Sequence, residues 1–122
     1  MTLDSTLRPF IEKLAEAGQN HDEDGFINSY TPNATIVDIT DKEIHAGHDA
    51  LRTLFRKYCT FGKWTSTASN EEFSGCEDII RYTCLSTLSI VNGPTMSFNV
   101  LQYWRKVADG SYKCEVEQFT NT

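Results

Sequence analysis

Thr95-Met96-Ser97-Phe98-Asn99-Val100-Leu101-Gln102-Tyr103-Trp104-Arg105-Lys106-Val107, the triplet Ala108-Asp109-Gly110, and Ser111-Tyr112-Lys113-Cys114-Glu115-Val116-Glu117-Gln118-Phe119 form the stretch that decides the fold. Both runs are rich in β-branched and aromatic side chains with period-two character. The triplet between them carries the Asp-Gly pair of a tight turn, so the spacing predicts an antiparallel hairpin. Toward the N-terminus the same grammar recurs at residues 63–73 and 78–91, divided by Ser74-Gly75 and joined onward through Asn92-Gly93-Pro94. Four strands, 63–73, 78–91, 95–107 and 111–119, are therefore expected as an antiparallel meander.

Upstream of residue 63 the apolar period lengthens. Leu3, Leu7, Phe10, Ile11 and Leu14 fall three and four apart, the stripe of an amphipathic helix, and Gly18 supplies a stop. Pro9 fits an early turn, which predicts a regular start near Thr6 to Arg8. A short second helix is expected from Asp22. It has Asp22, Glu23 and Asp24 at its positive end and Phe26, Ile27 and Tyr30 turned inward, and Thr31-Pro32-Asn33 ends it. Residues 34–39 read as a strand with Ala34, Ile36 and Asp38 on one face. After a turn at Asp41-Lys42, His45-Ala46-Gly47 leads into a third helix carrying Leu51, Leu54, Phe55 and Tyr58, closed by Gly62. Helices first and a meander afterwards define an α+β fold, in which the helices cover one face of a curled sheet.

The totals narrow the function. A chain of 122 residues supports one core, so a single domain over residues 1–122 is expected. Seventeen acids against eleven Lys and Arg leave a net charge of -6, which opposes binding to polyanionic nucleic acid. The most basic stretch, Arg52, Arg56, Lys57 and Lys63, is scattered around a helix and reads as a solvated face. No apolar run is long enough for a membrane span and the N-terminus has no secretory apolar region, so neither a membrane nor export is expected. Cys59, Cys76, Cys84 and Cys114 contain no Cys-x-x-Cys pair and read as reduced thiols of a cytoplasmic protein. There is no nucleophile elbow, dinucleotide fingerprint or phosphate loop, and no cofactor is expected.

The run from Tyr30 to Asp38, the helix start His45-Ala46-Gly47-His48-Asp49-Ala50-Leu51, and the pair Trp104-Arg105-Lys106 and Asp109-Gly110-Ser111-Tyr112-Lys113 together resemble the nuclear transport factor 2-like superfamily, with its ketosteroid isomerase-like and SnoaL-like branches. The resemblance spans nearly the whole chain. It implies a cone-shaped, cystatin-like fold with a curved antiparallel sheet wrapped around N-terminal helices. It also implies that Asp38 occupies the place of the isomerases' proton-shuttling base. Two positions depart from the isomerase pattern: Leu14 stands where the family has an oxyanion Tyr, and Gln102 where it has a protonated Asp.

The candidate site follows from strand alternation. If Gln102 faces inward, Phe98, Val100 and Trp104 join it as an apolar wall with one amide. Glu115 and Glu117 share a face of the last strand under strict alternation, and Glu117 is the one retained as a cavity candidate. Tyr30 offers a phenol that could polarise a bound oxygen, with Tyr58 and Tyr82 as lesser candidates. His45 and His48 have no convincing third ligand and read as structural, so no metal is expected. These residues favour a small, largely apolar ligand and a cofactor-free proton transfer with Asp38 as base. The alternative is a protein-interaction module using the acids Asp22, Glu23, Asp24, Glu71 and Glu72. A homodimer through the outer sheet face is also expected.

Overall fold

The computed structural model describes residues 2–122. Helices α1 (Leu3–Gln19) and α2 (Glu23–Asn28) precede strands β1 (Tyr30–Asp38) and β2 (Glu43–Ala46). Helix α3 (His48–Cys59) then leads into β3 (Trp64–Gly75), β4 (Ile79–Ile90), β5 (Thr95–Lys106) and β6 (Tyr112–Asn121). The four long strands form the expected meander. Beyond it the sheet continues in the order β2-β1-β6-β5-β4-β3, and β1 runs parallel to β6. The sheet is therefore mixed rather than wholly antiparallel, because β2 and α3 carry the chain from β1 to the far edge of the sheet, where the meander begins.

Three local features differ from the expectations for physical reasons. Helix α1 begins at Leu3, ahead of the predicted start, since the Thr2 hydroxyl accepts the Ser5 amide at 3.0 Å and caps the first turn. Pro9 consequently sits inside the helix, where the Ser5 carbonyl loses its usual amide partner. Thr31-Pro32-Asn33 does not form a loop but runs within β1, at a register irregularity between Tyr30 and Thr35. Pro32 has no amide to give a ladder, so that irregular, exposed point is where a strand can tolerate it. Residues 43–46, read as an approach to α3, form the short edge strand β2 against β1.

The core lies between the helices and the inner face of the sheet. Leu7 and Leu14 of α1 and Leu51, Leu54 and Phe55 of α3 pack with Ile36, Ile80, Trp104 and Cys114. Phe26 stacks on Phe55 at 4.4 Å and tilts against Tyr30 at 5.0 Å. Helices α2 and α3 are tied at the surface by Glu23, which accepts from both Arg52 and Arg56.

Two bulges decide which side chains enter the cone. In β3 the register shifts between Ser69 and Glu72, with Asn70 in the left-handed region at φ 53. This frees Glu71 to accept hydrogen bonds from Arg8 of α1 and Tyr82 of β4. In β6 the register shifts at Glu115: Trp104 pairs with Cys114, Tyr103 with Val116 and Gln102 with Glu117. Glu115 and Glu117 therefore do not share a face. Glu115 faces outward to Arg105, and the extra residue brings Glu117 round to the side of Cys114 and Trp104.

Candidate functional site

Inside the cone the polar groups form one chain. The Trp104 indole, fully buried, donates to the Gln102 Oε1 at 2.9 Å. An indole nitrogen can only donate, so it fixes the Gln102 amide with its oxygen toward Trp104 and its NH2 group toward β6. That NH2 donates to Glu117 Oε1 at 2.7 Å, and the Tyr30 hydroxyl donates to the same oxygen at 3.1 Å. Glu117 Oε2 takes no part in these bonds, and no Lys, Arg or His among the described residues forms an ion pair with Glu117.

Glu117 is half-buried by area yet closely surrounded by protein. Burial raises its carboxyl above the ordinary range, and the hydrogen bonds from Gln102 and Tyr30 pull the other way without cancelling it. Burial, followed by the charge of Glu117, lifts the Tyr30 phenol well above its usual value, which keeps it a donor at neutral pH. Along the same inner face Val100 pairs with Phe119, and Phe98 meets Phe119 edge-on at 5.6 Å. All three are half-buried and form the wall beyond Glu117.

The residues singled out in the sequence thus fall into two groups. Tyr30, Gln102, Trp104 and Glu117 are joined by hydrogen bonds, with Val100 and Phe98 farther along the wall. Asp38 lies at the end of β1, half-buried and paired with Phe119, where its Oδ1 accepts the Asp41 amide at 3.0 Å and caps the turn into β2. Oxygens of Asp38, Asp41 and Glu43 lie within 4.8 Å of one another there. Tyr58 of α3 links the two regions: burial chiefly, then the charges of Glu117, Asp38, Glu43 and Asp41, raise its phenol. His48 Nε2 lies 3.1 Å from the Tyr30 carbonyl and steadies the start of β1.

The acids named for a protein partner are largely engaged within the chain. Asp22 caps α2 through the Gly25 amide, Glu23 and Asp24 bind Arg52, and Glu71 is held by Arg8 and Tyr82. The Arg8 guanidinium holds Glu71 below the usual carboxylate range.

No family model and no curated protein matches the sequence. Solved structures do match. A protein of unknown function with a cystatin-like fold from Nostoc punctiforme aligns with a TM-score of 0.86 at 15% identity, covering 100% of this chain and 93% of that one. A nuclear transport factor 2-like protein of unknown function from Pseudomonas putida gives 0.84 at 15% identity, over 96% and 84% of the two chains. A ketosteroid isomerase-like protein from Erwinia carotovora gives 0.80 at 12% identity, over 99% and 98%. The architecture is an α+β cone built from helices and a curved mixed sheet. It is the nuclear transport factor 2-like, cystatin-like fold. No helix among the described residues is long and apolar enough to cross a membrane.

The raised carboxyl of Glu117 has a consequence for stability. A group whose folded pKa exceeds its unfolded value stabilises fully below the unfolded value, and that contribution is lost as pH rises through the folded one. Gln at this position keeps an oxygen for Tyr30 and Gln102 and carries no charge. Glu117→Gln is therefore expected to match the native chain near about pH 4 and to become progressively more stable than it toward about pH 8. Urea unfolding across that range checks this, and parallel stability curves would count against it.

Proposed function

We propose that the cone binds a small, largely apolar ligand in the recess beside Glu117 and exchanges a proton with it, without a cofactor. The observation that carries this is the state of the Glu117 carboxyl. It is desolvated, bound through Oε1 alone, and next to the Val100, Phe98 and Phe119 wall. Desolvation moves a carboxyl toward neutral pH, where it both takes and returns a proton efficiently. Tyr30 and Gln102 hold its orientation, and Trp104 holds Gln102. In this proposal the role of base passes from Asp38 to Glu117, the carboxyl that burial raises and that Tyr30 and Gln102 orient. The protein-interaction alternative is weakened by the internal pairing of Glu23, Asp24 and Glu71.

The four cysteines are unpaired, which supports work in a reducing compartment such as the cytoplasm. A homodimer through the outer sheet face belongs to the same proposal. That face is mostly Thr, Ser and Asn, but an apolar band formed by Ile44, Val37, Val116, Tyr103, Leu101 and Leu85 crosses it. Ile44 is 70% exposed and Tyr103 36%, and a trough of about 420 Å3 lies over Leu85 and Leu101. A second copy of the chain would bury that band.

Two measurements test these points. A nitrobenzisoxazole is an apolar ring whose C–H proton passes to a carboxylate while its N–O bond opens to a coloured cyanophenolate. Turnover of this probe is expected to fall by about 100-fold in Glu117→Gln and to change by less than about twofold in Asp38→Asn. Loss in Asp38→Asn alone would return the role of base to Asp38, and absence of turnover in the native chain would remove proton transfer. Sedimentation at micromolar concentration is expected to give twice the chain mass of 13.8 kDa and to give single chains for Leu101→Glu. A native chain sedimenting as a monomer contradicts the dimer.

A further inference from the structure

Glu117 is a counterion without a cation. Its Oε1 accepts from two neutral donors, Tyr30 and Gln102, and both bonds favour the ionised carboxylate. The titratable groups around it are Tyr30 and Asp38 from β1, Tyr58 from α3, Cys84 from β4 and Cys114 on its own strand, with His45 of β2 on the same face across Ile36. Lys42 is exposed in the turn between β1 and β2, His45 stands 3.6 Å from Glu43, and His48 is held on the Tyr30 carbonyl, so none of the three pairs with Glu117. Asp38, Asp41 and Glu43 gather on the same side, and their charges together with that of Glu117 act on the Tyr58 hydroxyl. A negative potential of this kind draws cations in and turns anions away. The wall supplies the other half of the recognition, since Phe98 and Phe119 present aromatic surface to whatever enters and ring faces attract an ammonium.

We propose that the ligand is an apolar amine, bound as its ammonium, with the charged nitrogen on Glu117 Oε2 and the hydrocarbon body along Val100, Phe98 and Phe119. This rests on the recess beside Glu117 being the ligand site and goes further by naming the ligand's chemical class. A neutral carbonyl compound is the competing class, since a protonated Glu117 could donate to its oxygen. The acids at the mouth and the two donors already on Oε1 favour the ammonium.

Calorimetric titration with phenethylamine, phenethyl alcohol and benzylacetone separates the possibilities, because the three share one hydrocarbon body. The amine is expected to bind at least about tenfold more tightly than the alcohol or the ketone. Its affinity should rise from about pH 5 to about pH 8 as Glu117 ionises, and proton release should appear as a dependence of the heat on buffer ionisation. Glu117→Gln should lose the preference for the amine. Equal or tighter binding of the ketone or alcohol overturns the amine assignment and leaves the recess standing as a ligand site. Amine preference that survives in Glu117→Gln overturns the role given to Glu117. Binding of none of the three overturns both the amine and the recess.

Discussion

An indole N–H donates a hydrogen bond and has nothing with which to accept one, and the interior of the cone is ordered from that asymmetry. Trp104, buried at the centre of the sheet, needs an acceptor and finds the Gln102 carbonyl at 2.9 Å. The amide is thereby fixed with its NH2 group toward Glu117, where it reinforces the Tyr30 phenol on a single carboxylate oxygen. Each group in the chain is satisfied by the next, which is the condition under which polar atoms survive in an apolar core. The chain ends on the second oxygen of Glu117, which neither donor engages.

The chain would not exist without the bulge at Glu115. Strict alternation from Cys114, which is buried against Trp104, would turn Glu117 outward. One added residue reverses its direction, while Glu115 stays outward on Arg105. A similar irregularity in β3 lets Glu71 meet Arg8 and Tyr82, and Arg8 also lies over the Phe73 ring at 5.3 Å. The two interior carboxyls are treated oppositely. Glu71 has an arginine and is held below the usual range, whereas Glu117 has only neutral donors and is raised. The one left without a cation is the chemically available one.

Much of the architecture could be read from residue order. The strands of the meander lie within a few residues of their predicted limits, because Thr-rich and aromatic alternation between Gly-containing turns has few other solutions. The inward set Phe98, Val100, Gln102 and Trp104 follows from the same period, which β5 keeps intact. What escaped was non-local or irregular. The parallel pairing of β1 with β6 joins segments more than eighty residues apart and leaves no short-range signature. Edge strand β2 is only four residues long. The bulge at Glu115 has no glycine to announce it, so Glu115 and Glu117 were placed on one face. Asp38 is legible from its position on β1, and the turn at Asp41-Lys42 that it caps is legible as well. The loop-like composition of Thr31-Pro32-Asn33 hid a strand that starts early enough for Tyr30 to reach the centre.

The central claim is that Glu117 is a desolvated carboxyl without a cationic partner. Its most direct measurement is the titration of the Glu117 side-chain carboxyl by carbon NMR in the native chain, with Glu117→Gln used to assign the resonance. The account predicts a midpoint clearly above that of an ordinary glutamate, and a further upward shift in Tyr30→Phe, which loses one donor to Oε1. A midpoint at or below the ordinary glutamate value would contradict it.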